Sequence, residues 1–277
     1  HHNEIFFQLC KAKGIKILEL DTTRFPKYSM VGLDEKKNAY ENFKISGKIR
    51  SFEELQEYRK RNSSFKQNVD FQSNNYDFVS AGLEYIFSKN ENIKTHYSYF
   101  GHSKIRALLN AISGSIKTKS RWNYLDKHLV KNIDLTKKFI YYPLHIEQER
   151  STLIVAPFYT NEIEFIKNIV KSLPIDFTLY VKEHPSQLTR HWRDKKFYLE
   201  LVNIPNVTVI HPHVSSFDLI KNCSLVITLS GTVALEAAFY QKSAITCADF
   251  DYTLLPSIER LMRIEDLPKL ISKCLQK

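Results

Sequence analysis

The chain has 277 residues, 43% hydrophobic and 25% charged, which is ordinary for a globular protein with a substantial core. No apolar run reaches the roughly 18 residues that cross a bilayer, and no secretory signal pattern is visible, which argues against a membrane-spanning or secreted protein. The four cysteines lie far apart without a Cys-x-x-Cys pair, so we expect no disulfide framework or zinc site and a cytoplasmic location.

The first half of the chain reads mainly as helices. We predict helices over residues 4–13, 51–60, 78–88 and from 103 to 116 or beyond, and strands over 15–20 and 139–142. These strands are too few for a complete sheet, so this half is either a helical cap or the end of a Rossmann-like domain whose earlier strands are absent. The chain opens His1-His2 without an initiator Met, which fits either a tag or the middle of a longer protein.

The second half alternates strands and helices. We predict strands over 153–157, 177–181, 207–210, 225–229 and 244–247, and helices over 161–172, 190–202, 216–222, after 232, over 256–262 and over 264–275. Such alternation indicates an α/β fold with a doubly wound parallel sheet. We therefore predict two domains, a helix-rich N-terminal one over residues 1–143 and a Rossmann-like one over residues 144–277.

Positive charge is concentrated in the first half. The formal net charge is +10, and residues 1–150 carry 26 Lys and Arg against 17 Asp and Glu. The excess peaks between Lys94 and Lys138, with ten basic and two acidic residues. This stretch is either an ordinary solvated helix face or a surface for an anionic partner, namely a charged polysaccharide, a lipid phosphate or a membrane. No nucleic-acid motif is present, so we expect no nucleic-acid partner.

The turn Ser230-Gly231-Thr232 joins a predicted buried strand to a predicted helix. Backbone N–H groups at such a turn point at one spot, together with the positive end of the helix, and favour an anion such as a nucleotide phosphate. Glu236 lies four residues after Thr232, so the two side chains share one helical face, and the carboxylate is placed to accept hydrogen bonds from a ribose. This interpretation depends on the amides of the turn being open.

Lys182-Glu183-His184-Pro185 ends another predicted strand. His184 is a candidate to contact or protonate a leaving phosphate, and Lys182 is a candidate to offset its charge. Glu183 is counted with the donor-binding residues. His145 follows the strand at 139–142 and is a third catalytic candidate, at the mouth of a cleft. For each group the competing interpretation is a surface turn or connector.

Two further groups are weaker candidates. His211 and His213 flank Pro212, but two histidines without a nearby carboxylate or thiol are a poor metal site, so we favour a plain loop. Asp249 and Asp251 follow the strand at 244–247 and border the pocket or cap a loop. No metal motif is found.

These motifs together resemble bacterial capsule polysaccharide biosynthesis proteins, glycosyltransferases of the GT-B architecture similar to the capsule Kdo transferases. The resemblance covers residues 139–250 well and residues 3–24 weakly. It is carried by Tyr-Tyr-Pro-Leu-His-Ile-Glu-Gln-Glu-Arg at 141–150, Leu-Tyr-Val-Lys-Glu-His-Pro-Ser-Gln at 179–187, Ile-Pro-Asn-Val at 204–207 and Val-Ile-Thr-Leu-Ser-Gly-Thr-Val-Ala-Leu-Glu-Ala at 226–237.

The resemblance implies a metal-independent, cytoplasmic glycosyltransferase of surface polysaccharide synthesis, peripheral to the inner membrane. Its donor would be a nucleotide sugar, with a CMP-linked acidic sugar preferred, and no other cofactor is implied. The acceptor would be an anionic glycan or glycolipid bound by the N-terminal domain. Two alternatives stay open: a sugar-nucleotide epimerase of the same architecture, and a non-catalytic module that binds nucleotide or glycan.

Overall fold

The computed structural model of the chain describes residues 2–17, 19–22, 29–32, 51, 53, 54, 57, 104–147, 153, 156–184, 187 and 193–276. The chain divides into two compact units, one formed by residues 1–65 and 130–277 and the other by residues 66–129. The described part of the second unit is a long helix. The described elements before the main sheet include α1 (His2–Ala12), the antiparallel strands β1 (Glu19–Thr22) and β2 (Ser29–Gly32), and the long helix α2 (Lys104–His128).

A six-stranded, fully parallel sheet forms the centre of the first unit. Its order is β5-β4-β3-β6-β7-β8, so the chain builds outward from β3 first in one direction and then in the other. The strands are β3 (Phe139–Pro143), β4 (Thr178–Lys182), β5 (Val207–Ile210), β6 (Leu225–Thr228), β7 (Ser243–Thr246) and β8 (Ile258–Arg260). The sheet is doubly wound, as the alternation of strands and helices predicts.

Among the described residues, five α-helices of known bounds connect or follow these strands: α3 (Glu162–Lys171), α4 (Lys195–Val202), α5 (Ser216–Asn222), α6 (Val233–Ala238) and α7 (Leu267–Leu275). Side chains cap three of them, because Asn161, Asp194 and Ser215 each accept a hydrogen bond from a backbone N–H of the first turn. Between the sheet and α5 and α6 lies an apolar core that includes Tyr141 and Val226.

The order in which the chain adds strands to the sheet reverses between β3 and β6, while all strands stay parallel. The two strands pair over only two positions, Ile140 with Leu225 and Tyr141 with Val226, whereas β3 pairs with β4 over five. In a doubly wound sheet, ligands bind beyond the carboxyl ends of the strands at such a reversal. The loops that follow β3, β4 and β6 therefore meet where a ligand is expected.

The sequence predicts five of the six strands of this sheet to within one residue at each end, and the α/β fold class is confirmed. The helix predicted over 256–262 is wrong, because Ile258–Arg260 pairs with β7. The strand predicted over 153–157 is also wrong, since Leu153 is helical and Pro157 begins a 3-10 helix. Residues 15–17 are not in a strand, and the helix predicted over 78–88 lies outside the described residues.

The predicted domain boundary after residue 143 falls inside the sheet. β3 ends at Pro143 and lies at the centre, paired with β4 on one side and β6 on the other. Its buried residues pack with the C-terminal strands, so the sheet begins at Phe139 rather than after the boundary. The assignment of acceptor and donor roles to two domains stays a prediction.

The cysteine side chains lie in the interior of the fold. Cys10, Cys223, Cys247 and Cys274 are all buried and unbridged. Cys223 lies two residues before the start of β6, and Cys247 immediately follows β7. Over the part of the chain that the structure describes, none of the helices combines the length and the apolarity of a membrane span.

Candidate functional site

The candidate site lies at the carboxyl edge of the sheet. His145 follows β3, Lys182 ends β4, and the turn Ser230-Gly231-Thr232 follows β6. These sequence-predicted residues come from three strands that are neighbours in the sheet, which explains why they meet although up to 87 positions separate them in the chain.

The turn after β6 is closed by side chains of the protein itself. The Ser230 backbone N–H donates to His145 Nε2 at 3.2 Å, and the Gly231 N–H donates to Thr228 Oγ1 at 3.0 Å. The prediction that these two amides are open to a phosphate is therefore wrong. The reason is the imidazole that arrives from the loop after β3, a partner that the local sequence of the turn does not reveal.

His145 is held on both sides of its ring and is only 7% exposed. Its Nδ1 lies 3.0 Å from Glu162 Oε1, and its Nε2 lies 2.9 Å from Thr228 Oγ1. Its backbone N–H also donates to Glu162 Oε1, at 3.0 Å. The structure thus gives His145 a buried bridging position between α3 and the turn, instead of the open place at the mouth of a cleft that we expected.

Behind His145, the buried Arg193 is surrounded by carboxylates. Its Nε donates to Glu183 Oε2 at 2.9 Å, its Nη2 to Glu162 Oε2 at 2.9 Å, and its Nη1 to Glu147 Oε1 at 2.8 Å. Arg193 Nη2 also donates to the His145 carbonyl oxygen. Burial alone would lower the pKa of the guanidinium, but the three carboxylates outweigh it and raise the pKa. The four side chains form one ionic cluster, in which Arg193, Glu162 and Glu183 are buried and Glu147 lies at the exposed end.

Glu183 belongs to this cluster, and its side chain is not placed to bind the donor as we expected. It is 1% exposed, and its Oε2 accepts hydrogen bonds from Arg193 and, at 2.7 Å, from the Tyr198 hydroxyl. Its Oε1 accepts from the backbone N–H of the half-buried His184. Both carboxylate oxygens are therefore occupied by the protein.

The sequence did not single out Arg193, and the available signal was indirect. Glu147 and Glu183 each follow the carboxyl end of a predicted strand, and such ends meet at one edge of a parallel sheet. Two carboxylates brought together there require a cation, because buried like charges are costly when unpaired. That reasoning predicts a buried basic residue but does not say which one.

Lys182 is the second buried cation of this edge, and its surroundings differ. It is 3% exposed and its Nζ donates to Ser216 Oγ at 2.6 Å. Burial lowers the pKa of Lys182 to about 8, and the negative charge of Glu236 raises it only in part. Within the described residues no carboxylate lies within 4.0 Å of Nζ. The ammonium is thus buried without a direct counter-ion from the described part of the chain.

Glu236 lies near this lysine on the first turn of α6. The Thr232 hydroxyl donates to Glu236 Oε1 at 3.3 Å, so the expected shared face of these two side chains is confirmed. Glu236 is 8% exposed and its charge helps raise the pKa of Tyr141, whose hydroxyl is 3.5 Å from Ser216 Oγ. Lys182, Ser216, Thr232 and Glu236 therefore form a second polar group, which we call the lysine cluster.

The Ser230 side chain adds a buried hydroxyl to this edge. Ser230 is 3% exposed, and its Oγ has no hydrogen-bond partner among the described residues. Buried hydroxyls are rarely left in that state, and one at a site usually awaits a water or a ligand. Next to it, a Cβ on Gly231 would lie 2.7 Å from Thr228 Oγ1 and 3.6 Å from His145 Nε2, so the turn requires glycine for space.

The structure also shows the positions of the weaker candidates, the His211–His213 pair and Asp249. His213 donates its backbone N–H to His211 Nδ1 at 3.2 Å, an arrangement that suits the loop interpretation. Asp249 pairs with Arg260 at 2.6 Å and borders a cleft of about 910 Å³ between the start of α3 and the segment after β8. Over the described residues, no three His, Cys, Asp or Glu side chains are arranged to hold a metal ion.

The basic stretch is described only from residue 104. Within the described part, the lysines at 117, 119, 127, 131, 137 and 138 are exposed. Lys138 forms an ion pair with Asp176 at 2.7 Å. Whether the remaining lysines meet an anionic partner stays a prediction.

Several solved structures share part of this architecture. A UDP-GlcNAc 2-epimerase of Methanocaldococcus jannaschii, in complex with UDP-GlcNAc and UDP, is 18% identical with a TM-score of 0.39, and the match covers 58% of this chain and 42% of that one. KpsC of Thermosulfurimonas dismutans, a beta Kdo 2,7 transferase, is 16% identical with a TM-score of 0.37, covering 72% of this chain and 57% of that one. A beta Kdo 2,4 transferase structure of the same KpsC is also 16% identical, with a TM-score of 0.35 and coverages of 53% and 47%. This chain thus spans less than two thirds of the length of each.

Sequence comparison gives the family. No curated protein matches this chain. The family described as capsule polysaccharide biosynthesis protein matches residues 83–252, which is more than half of the chain and includes β3 to β7 with the lysine cluster. The chain belongs to the capsule polysaccharide biosynthesis protein family.

Proposed function

We propose that this chain is a glycosyltransferase, or its donor-binding part, which moves a sugar from a nucleotide donor to a surface or capsular glycan. Membership of the capsule polysaccharide biosynthesis family supports the reaction class. The doubly wound sheet supports the location, because a nucleotide fits the edge where the strand order reverses. The preference for a CMP-linked acidic sugar belongs to the proposal and comes from the resemblance of the motifs.

One observation carries the proposal at the level of residues: the Lys182 ammonium is buried, and among the described residues it has no direct counter-ion. A buried, unpaired charge is unfavourable, and the lowered pKa of Lys182 reflects this. A phosphate bound beside Nζ would supply the missing negative charge. In this proposal the phosphate is therefore held by Lys182 and the Ser230 hydroxyl, and the closed amides of the turn only shape the site.

The chemistry follows from the charge that develops during transfer. The bond between the sugar anomeric carbon and the phosphate oxygen breaks and a bond to the acceptor hydroxyl oxygen forms. The proton of the acceptor hydroxyl ends on the released phosphate or in the solvent. Negative charge grows on the leaving phosphate, and a fixed ammonium in a water-poor site stabilises that charge. His184 is the proposed proton donor or hydrogen-bond partner of the phosphate, and Glu236 the acceptor for ribose hydroxyls. We propose no catalytic metal or additional cofactor.

The proposed acceptor is an anionic glycan or glycolipid. The exposed lysines of residues 117–138 support this choice, since a basic surface attracts such a partner and also the inner membrane face. We propose that contact with the membrane, if the acceptor is lipid-linked, is peripheral.

The test measures nucleotide binding by thermal shift with CMP, UDP, GDP and their sugars. A ligand stabilises the fold by RT ln(1 + [L]/Kd), so micromolar affinity gives a clear shift at millimolar ligand. We expect a shift with at least one nucleotide, and its loss in Lys182→Met. Lys221→Met is the matched control, because Lys221 is exposed on α5.

Turnover then separates the candidate activities. Transfer requires an acceptor, whereas an epimerase converts the nucleotide sugar alone, so products are analysed with and without added glycan. Release of the nucleotide only when acceptor is present supports the transferase. Binding without turnover under any condition would support a non-catalytic module, and the absence of any nucleotide shift would contradict the proposed donor site.

A further inference from the structure

The hydrogen bonds around His145 determine where its proton lies. On one side, Glu162 Oε1 is approached at 3.0 Å by three groups: the Tyr142 hydroxyl, the His145 backbone N–H and His145 Nδ1. Burial raises the pKa of Glu162, but His145 and Arg193 together outweigh it, so the pKa lies below its usual value. An ionised carboxylate only accepts hydrogen bonds. Nδ1 must therefore carry a hydrogen.

On the other side, the backbone sets the direction of the bond. The Ser230 N–H can only donate, and it points at His145 Nε2 from 3.2 Å, so Nε2 must present its lone pair. Thr228 Oγ1 accepts the Gly231 N–H and lies 2.9 Å from the same nitrogen. Its own hydroxyl hydrogen is then directed at Nε2. The Gly231 N–H donates to Thr228 Oγ1, and the Thr228 hydroxyl and the Ser230 N–H both donate to Nε2. This series of hydrogen bonds is consistent only with an unprotonated Nε2.

We infer that His145 is a neutral imidazole with its proton on Nδ1, and that it is a positioning residue that holds the Ser230-Gly231-Thr232 turn. A nitrogen occupied by two donors has no proton to give to a leaving group. This inference rests on the proposed function for the meaning of the turn, but the protonation pattern does not depend on it. Of the two histidines predicted to be catalytic, it leaves His184 as the candidate acid.

The charges around the two ring nitrogens of His145 are asymmetric, which fits a neutral ring with its proton on Nδ1. Glu162 faces Nδ1, Arg193 faces the carbonyl oxygen, and Glu147 and Glu183 neutralise Arg193. Thr228 Oγ1 and the Ser230 amide, the two groups within hydrogen-bond distance of Nε2 among the described residues, are both uncharged. A second proton on Nε2 would face the Ser230 N–H, donor against donor.

The direct test is the ¹⁵N spectrum of the imidazoles in the full chain at pH 7. Protonated and unprotonated ring nitrogens differ clearly in ¹⁵N chemical shift, and the signal that disappears in His145→Gln assigns the residue. We expect Nδ1 to be protonated and Nε2 unprotonated. A proton on Nε2, alone or in addition to Nδ1, would overturn the inference. This measurement needs no ligand. The His145→Gln variant serves only to assign the signal.

Two amide variants separate positioning from proton transfer. Gln places an acceptor near the position of Nε2, whereas Asn can occupy only the position of Nδ1. We expect His145→Gln to keep the nucleotide Kd within about 3-fold, and His145→Asn to raise it by about 10-fold, the effect of one hydrogen bond. If both variants bind nucleotide as the original chain does but lose all turnover, His145 transfers a proton and the inference fails.

The two proposals fail in different ways. If the unaltered chain binds none of the nucleotides, the proposed donor site is wrong, and the ¹⁵N spectrum still decides the state of His145. If nucleotide binds but Nε2 carries the proton, the donor site stands and the positioning role falls.

Discussion

Replacing Lys182 with methionine should make the protein more stable and unable to bind its donor. The pKa of this lysine falls from an ordinary 10.5 to about 8 because the side chain is buried. The difference corresponds to about 3 kcal/mol of folding free energy at pH 7, at 1.36 kcal/mol per pKa unit. Loss of the hydrogen bond to Ser216 offsets about 1 kcal/mol of the gain. We therefore expect a net stabilisation of about 2 kcal/mol.

The effect has a definite dependence on pH. Between pH 8 and 10.5 the unfolded chain holds a proton on Lys182 that the folded chain has released, so the stability of the original protein rises with pH in that window. Below pH 8 the unfavourable burial of charge is fully present. The advantage of Lys182→Met should therefore be largest at pH 7 and should nearly disappear by pH 10.5. Nucleotide binding should weaken above pH 8, since a phosphate favours the protonated lysine.

The assay is urea unfolding of the original chain, Lys182→Met and Lys221→Met at pH 7 and pH 10, with thermal shift in the presence of nucleotide. A gain of about 2 kcal/mol raises Tm by roughly 4–8 °C in a protein of this size. If Lys182→Met is less stable than the original chain at pH 7 while Lys221→Met is unchanged, contacts within the protein already compensate the ammonium. The argument that the lysine awaits an anion would then be refuted.

Three further substitutions test the same edge of the sheet. Arg193→Met should destabilise the fold by about 3–5 kcal/mol in urea unfolding, because it leaves its buried carboxylates without a cation; a change below 1 kcal/mol would show that the cluster is neutralised by protonation instead. Gly231→Ala should destabilise the fold by about 1–3 kcal/mol, because the new Cβ lies 2.7 Å from Thr228 Oγ1. The control Gly114→Ala should not destabilise it, because the space around Gly114 on α2 is open. Equal effects of the two substitutions would contradict the steric argument. Ser230→Ala should leave the unfolding free energy unchanged or slightly raised, because its hydroxyl has no partner among the described residues, while nucleotide affinity falls several-fold; unchanged affinity would remove Ser230 from the site.

The sheet could be predicted from the sequence because its strands are short apolar runs bounded by turn residues. β4, β5 and β6 begin and end within one residue of their predicted limits. β8 was misjudged, since its three residues, Ile258–Arg260, are too few to show a period of two and merge with the helical pattern around them. The same ambiguity explains the strand predicted at 153–157.

The site was predicted in its parts but not in its connections. Lys182, Thr232 and Glu236 were recognised because spacing along one helix or position at a strand end places them locally. The bond from the Ser230 amide to His145 joins positions 85 residues apart, and no local pattern indicates it. Arg193 was missed for the same reason, since its role depends on carboxylates from three separate segments.

The thiols beside β6 and β7 can report local opening of the fold. Burial raises the pKa of Cys223 to about 12 and also raises that of Cys247, so neither reacts with an alkylating reagent while its surroundings stay closed. Cys223 lies before β6 and Cys247 after β7, at opposite edges of the sheet. Comparing the alkylation rates of the two thiols would therefore reveal whether the carboxyl edge of the sheet opens locally without the opposite edge.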